Sequence, residues 1–391
     1  MELSELFKLV AEGARAVGSG ISSHTVEVVA WSFSALLAMM RAYVYGRDKV
    51  LKKVKLFMMG DEGFWDKEPH RNIAHHIKSL REGIPILTIA NFKGGVGKST
   101  MAANLAAFFD DAGVRVLLID FDYQGSLTDS VIKTDGNLKL GAVDLIDEKL
   151  SVEKVLDRIE KPVADFRRLD VFASSNSLSR AENRTVFNWL VGETKTDLRY
   201  NLHNVLSSKQ TRDRYDLVIV DAPPRLMMAT VNAVCASTHV LIPTILDGIS
   251  SSAALNTIDV LLKLKDRLSP GLRILGIIPT FVYQKTNYKV RELENLAFLK
   301  QEIELRFSNK QDLPIKIFEE QRILRKEAIA NVAGDRVAYF ADPEIKNMYT
   351  QLGWALVNEF GTDFKRKMQD ESFGPQARVG TAPANVIALG R

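Results

Sequence analysis

The sequence predicts an α/β fold, a mostly parallel sheet with helices on both faces, preceded by a helical N-terminal region. Three observations carry that reading. Short apolar, β-branched runs recur from residue 86 to about 281, and most are separated by helical stretches. Each charged or glycine-rich motif directly follows a run, at the carboxyl end of a strand, where sheets of this kind bind ligands.

Residues 1–84 read as helical. LSELFKLVAEGARAV spaces its apolar residues at helical period; VVAWSFSALLAMM, VLKKVKLFM, a loop-like GDEGFWDKEPH and a short helix NIAHHIKSLR follow. The apolar segment from Val28 to Met40 is shorter than the roughly 20 residues a membrane crossing needs, so burial in a helical core is expected. Extended to Tyr45 with Arg41 buried and the lysines beyond on the cytoplasmic side, it would anchor in a bilayer, and that alternative stays open. His75 and His76 are adjacent, point about 100° apart on a helix, and are expected on a solvated face.

Past Pro85, PILTIAN is a buried strand entering a glycine turn, STMAANLAAFFDDAG a helix ending at Gly113, and VRVLLIDFD the next strand, which together make a βαβ unit. RLDVFASS, YDLVIVDAPP, THVLIPT and LRILGIIPTF repeat the strand texture, with ALNTIDVLLKLKDRL as a helix between strands. A charged, helix-rich region follows Thr280, and the chain from about Lys365 reads as a disordered tail. The expected division is therefore 1–84 helical, 85–364 the α/β domain, and 365–391 the tail.

The length of 391 residues accommodates one large α/β domain and an appended region. At 46% hydrophobic and 26% charged residues the composition is globular, and a net charge of +4 permits contact with nucleic acid without demanding it. The single cysteine, Cys235, excludes a disulfide framework and a cysteine cluster within one chain. The first residues lack the basic start and apolar stretch of a secretory signal, so a cytoplasmic location is expected.

NFKGGVGKST, Asn91 to Thr100, is the most informative stretch. A strand, a glycine turn and a helix opened by Lys98-Ser99-Thr100 form a phosphate cradle, because free backbone N–H groups and the helix dipole point at one anion. Gly94, Gly95, Val96 and Gly97 bring the backbone close; Lys98 reaches the β and γ phosphates, the Ser99 hydroxyl ligates Mg²⁺, and Thr100 touches the α phosphate. A standard loop of this kind has glycine where Phe92 stands. KGGVGKST instead resembles the deviant Walker A motif of the ParA/MinD family of ATPases. That resemblance implies that Lys93 reaches across a homodimer interface to the nucleotide of the partner subunit, so that ATP and Mg²⁺ hold two chains together.

Two further motifs agree. DFDYQGSLTDS resembles the family's DxDPQGN segment, with Tyr123 in place of proline and Ser126 in place of asparagine. The resemblance implies that Asp122 orients the attacking water and that Asp120 sits near Mg²⁺ through water; an aspartate ending a strand also serves as a turn cap. YDLVIVDAPP has the shape of a strand carrying a carboxylate, Asp221, to the Mg²⁺ shell, and Arg225 replaces the small residue the family has there. LRILGIIPTFVYQKTN resembles the family's G-x-x-P-T strand and loop, which implies Pro279 and Thr280 beside the base and ribose. The resemblance covers residues 86 to about 362.

It implies an ATP-hydrolysing switch that dimerises with ATP, binds DNA nonspecifically, and is discharged by an activating partner protein, as in plasmid or chromosome partition. Lys285, Lys289, Arg291, Arg322, Arg325, Lys326 and Arg336 are the basic residues offered for phosphate contacts. The alternative is a MinD-like positioning ATPase that acts on a membrane or protein scaffold through its N-terminal region. The lone cysteine argues against iron–sulfur reductases of similar fold, and the absence of a tyrosine-rich tail argues against the related tyrosine kinases.

Overall fold

A computed structural model describes residues 65, 69, 72–132, 138–146, 150–163, 165–191, 196–284, 287–310, 314–326 and 337–369. The Val28–Met40 segment, Lys285, Arg336 and the tail beyond residue 369 lie outside the described residues. The chain divides into two compact units, one of residues 1–64 and 186–195, the other of residues 65–185 and 196–391. The first is described only at residues 186–191.

The second unit is built on a seven-stranded, all-parallel sheet of order β3-β2-β4-β1-β5-β6-β7. The strands are β1 (Ile86–Ile89), β2 (Val116–Asp120), β3 (Leu169–Phe172), β4 (Leu217–Asp221), β5 (His239–Ile245), β6 (Arg273–Thr280) and β7 (Lys316–Ile317). Six follow the apolar runs of the sequence, whereas β7, two residues long at one edge, has no such run to announce it. Every residue of β1, β2 and β4 is buried, because helices cover both faces of the sheet. The side chains alternate between two cores: Leu87, Ile89, Val116 and Leu118 belong to one, Ile86, Leu117 and Ile119 to the other.

The helices that position the site are α1 (Ile73–Arg81), α2 (Lys98–Asp111), α3 (Ser126–Val131), α4 (Ser177–Val191), α5 (Met228–Ala236), α6 (Gly248–Leu268), α7 (Val290–Phe307), α8 (Pro343–Glu359) and α9 (Thr362–Gln369). α2 is nearly all buried and runs from the glycine turn into the first core. It is covered by α8, whose Gly353 lies so close that a Cβ there would meet the Phe108 ring at 2.1 Å. Phe108 also packs edge-on to Trp354, and Phe109 against Phe360.

Two expectations are corrected. His76 is fully buried: its Nε2 lies 3.4 Å from the Ser269 hydroxyl and its ring meets those of Tyr200 and His203. α1 is amphipathic, and one residue's rotation is enough to send His76 inward while His75 stays in solvent. The region read as tail from Lys365 begins as helix α9, held by buried Phe364 and Met368 on one face.

Candidate nucleotide site

β1 delivers the chain to the turn Asn91–Gly97 at the carboxyl edge of the sheet. Asn91 anchors the start of the turn, donating from its amide to the Pro243 carbonyl (2.9 Å) and accepting from the Lys93 N–H (2.9 Å). Gly97 takes the left-handed conformation at φ +89° directly before α2, which a residue with a side chain adopts only under strain. A Cβ added at Gly94 or Gly95 meets nothing within 4 Å. The glycines thus leave open space in front of the first turn of a 14-residue helix, where an anion is favoured by dipole and N–H groups alike.

Thr280 braces this turn from behind, its hydroxyl donating to the Val96 carbonyl at 2.9 Å. Pro279 and Thr280 are buried in β6. The resemblance implies both beside a base and ribose; in the structure the Thr280 hydroxyl also holds the loop. Phe281, next along, lays its ring against Gly97.

The two lysines of the turn have separate surroundings. Lys98 is buried, and its Nζ donates to the Lys93 carbonyl at 3.1 Å. Burial lowers its pKa, opposed by the carboxylates of Asp221 and Asp122. Lys93 is turned toward the start of α6: its Nζ donates to the Ser250 hydroxyl at 2.6 Å and lies 3.7 Å from an Asp247 oxygen. Asp247 is the N-cap of that helix, accepting from the Ser250 N–H at 2.7 Å. In the single chain, Lys93 is therefore clasped by its own subunit.

Three carboxylates end the neighbouring strands. Asp120 and Asp221 are in register on β2 and β4, and both are fully buried. Asp120 has its oxygens engaged: one accepts from the Asp122 N–H at 3.0 Å, the other from the Thr128 N–H at 2.9 Å and hydroxyl at 2.7 Å. Burial pushes its carboxyl up to about 7 against these three hydrogen bonds. These contacts fit the turn-capping reading, in which Asp120 staples the loop from Phe121 to Thr128. Asp122 is 7% exposed and accepts from the Gln124 N–H at 3.1 Å.

Asp221 differs. Neither of its oxygens has a hydrogen-bond partner, and burial together with the nearby Asp120 raises its pKa well above the carboxylate range, opposed by Ser99 and Lys98. A buried carboxylate in this condition costs several kcal/mol unless a cation compensates it. Among the described residues no three His, Cys, Asp or Glu side chains converge on a metal-sized point. The donor set is one carboxylate and the Ser99 hydroxyl beside open space for an anion. That suits a hard, octahedral cation such as Mg²⁺, which takes its other ligands from phosphate and water.

The two departures in the sequence motifs meet in space. The Arg225 guanidinium stacks over the Tyr123 ring at 4.5 Å, joining the loop after β2 to the loop after β4. Arg225 also lies 3.5 Å from Glu182 of α4, and Glu182 accepts from the Ala229 N–H at 2.8 Å. Sequence reading missed Glu182, for which no motif signals, and Asp247, for which the D-G-I-S spacing of a helix cap is the available signal.

A seven-stranded parallel sheet with a glycine cradle between β1 and α2 and strand-ending aspartates on the adjacent strands defines a P-loop nucleotide hydrolase. An AAA-domain family model matches residues 84–274. The chain is 32% identical over 216 residues to the sporulation initiation inhibitor protein Soj of Bacillus subtilis, covering 56% of this chain and 78% of Soj. It is 32% identical over 228 residues to the chromosome partitioning protein ParA of Myxococcus xanthus, covering 56% and 74%. The chain belongs to the ParA/MinD-type P-loop ATPases. Two uncharacterised proteins of Mycobacterium tuberculosis are 35% identical over 202 residues, and the chain spans 57% of their length. The fold is shared with apo McdA of Cyanothece at a TM-score of 0.57 and 20% identity, covering 70% of this chain and 99% of McdA.

Proposed function

We propose that this chain is a Mg²⁺-dependent ATPase switch that dimerises when it binds ATP and works in partition or cargo positioning. The observation that carries the reading is Asp221, a buried carboxylate without a hydrogen-bond partner, beside Lys98 and beneath the open glycine cradle. Ser99 and Lys98 oppose its burial only in part, since its carboxyl still stands well above the usual carboxylate range, and a bound cation is the natural further partner.

The chain's own residues divide the work. The N–H groups of the turn and Lys98 hold the phosphate chain, and Ser99 and Asp221 hold the cation. Mg²⁺, when bound, neutralises charge on the β and γ phosphate oxygens. Asp122 is the carboxylate free to orient a water, since Asp120 is committed to Thr128. Thr280 and Phe281 keep the loop from sagging away from the nucleotide.

Dimerisation is supported by the surface around Lys93. Ile249, adjacent to Ser250, is 76% exposed, and Val290 and Leu293 of α7, the helix packed on α6, are 73% and 50% exposed. An apolar patch beside a lysine that can change partner fits a face that closes on a second copy. Lys93 must then leave Asp247 and Ser250 for the partner's phosphates. The name of the chromosome partitioning protein ParA favours DNA as the scaffold. No helix among the described residues is long and apolar enough to cross a membrane.

The test is sedimentation of wild type and Lys93→Ala with a slowly hydrolysed ATP analogue and Mg²⁺. Wild type is expected to dimerise, and the variant to bind nucleotide yet stay monomeric, because two facing triphosphates repel without the lent cation. Equal dimerisation would show that Lys93 serves only its own subunit.

A further inference from the structure

The basic residues that the sequence offered for an anionic partner are largely engaged within the chain. The Lys289 ammonium sits 3.3 Å from the centre of the Tyr283 ring, and Arg322 lies over Tyr288 at 4.5 Å. Arg325 donates to the Tyr283 hydroxyl at 2.9 Å, and Lys326 pairs with Glu344.

A second group of cations lies at the opposite edge of the sheet. Beside β3, outside the nucleotide site, Lys139, Arg158, Arg180 and Arg184 line a cavity of about 420 Å³, with Asp144 the one carboxylate lining it among the described residues and Ser177, the first residue of α4, lining it too. The wall is firmly placed: Ala142 donates to the Ala173 carbonyl just past β3, and Gly141 sits so close to Phe172 and Arg158 that a Cβ would come within 2.7 Å of both. Lys139 is steadied by donation to the Asp157 carbonyl at 3.0 Å, and Arg158 stands 3.6 Å from Asp144. Glu160 lies behind the wall, accepting from the Lys139 backbone N–H at 2.7 Å. Arg180 and Arg184, both exposed, project one turn apart from the same side of α4.

We propose that this cavity binds a small anion carrying two or more phosphate groups. Among the described residues three guanidinium groups and an ammonium surround one carboxylate, a positive excess, and guanidinium forks match phosphate oxygens in pairs. The volume lies within the roughly 300–1,000 Å³ of small-molecule sites, and the first turn of α4 adds N–H groups and dipole of the same sign. A concave wall selects a compact polyanion over a duplex backbone, which needs a stripe of cations along a surface.

Inorganic tripolyphosphate is the probe, titrated by calorimetry into the full chain carrying Lys98→Ala, which silences the glycine cradle. One tripolyphosphate per chain is expected, with affinity falling about tenfold or more when Arg180→Glu and Arg184→Glu are added, and unchanged by Lys365→Glu, an exposed lysine elsewhere. Wild type is expected to bind one more than the Lys98→Ala chain; equal numbers would remove the nucleotide-site reading and leave this cavity standing. No binding to the Lys98→Ala chain, or binding indifferent to the two charge reversals, overturns the proposal. So does a result in which the reversals weaken a random duplex of about 20 base pairs but not tripolyphosphate, since the surface would then serve nucleic acid.

Discussion

Two sites of buried charge in the unit are treated in opposite ways. Arg199 and Asp197 are 1% and 6% exposed, yet each is answered: the guanidinium donates to both Asp197 oxygens at 2.8 and 2.6 Å and to the Trp65 carbonyl at 2.8 Å. At the carboxyl ends of β2 and β4, Asp221 has no hydrogen-bond partner and Lys98 has one backbone carbonyl. The first arrangement needs nothing further and belongs to the architecture. The second is complete only with a ligand, and the contrast separates a structural ion pair from a binding site without appeal to any motif.

The comparison breaks most visibly on stability. Arg199→Met strands Asp197 and is expected to cost about 3–5 kcal/mol. Asp221→Asn removes a buried carboxylate that Ser99 and Lys98 offset only in part, and is expected to leave the nucleotide-free protein as stable as wild type, or about 1–3 kcal/mol more so. Urea unfolding without nucleotide or Mg²⁺ measures both, and similar losses in the two variants would erase the distinction.

On binding the roles reverse. Lys98→Ala is expected to lower affinity for Mg²⁺–ATP roughly 100-fold or more while costing the fold little. Calorimetry reads the affinity; unchanged binding would mean that the cradle holds no phosphate.

A smaller effect sharpens the boundary between the two classes. Glu182 is 1% exposed, hydrogen-bonded to the Ala229 N–H and near Arg225, and burial pushes its carboxyl up to about 7 from an ordinary 4.5. Below pH 4.5 the folded and unfolded chains both hold the proton. Between 4.5 and 7 the unfolded chain releases it first, so wild type loses stability as pH rises and levels off above 7. Glu182→Gln should lack that slope and exceed wild type at pH 8 by on the order of 1–3 kcal/mol. Parallel urea midpoints from pH 4 to 8 would instead place Glu182 with the fully answered charges.

The sheet and the cradle were legible because their signals are local. A β-branched run ending in glycines, or in Asp-Ala-Pro-Pro, fixes strand, turn and carboxyl end within ten residues. What was not legible depends on residues far apart meeting. The hydrogen bond from the Thr280 hydroxyl to the Val96 carbonyl, 184 residues away, has no signal in the sequence. The resemblance gave Asp120 and Asp122 different roles, but not the Thr128 side chain that folds back onto Asp120. Tyr123 and Arg225 each read as a lone oddity; stacked, they are one substitution made in two places.

The close seating of Gly353 against Phe108 ties the cradle's helix to the order of synthesis. The two residues are 245 positions apart, so at a translation rate of roughly 5–20 residues per second α2 waits on the order of 10–50 s for α8 to be made. Until then Phe108 and Phe109 face water, and the helix that opens at Lys98 has no fixed seat. ATP therefore meets a finished cradle only once α8 has been made through Glu359, and the nascent protein is at its most adhesive just before it becomes able to bind nucleotide.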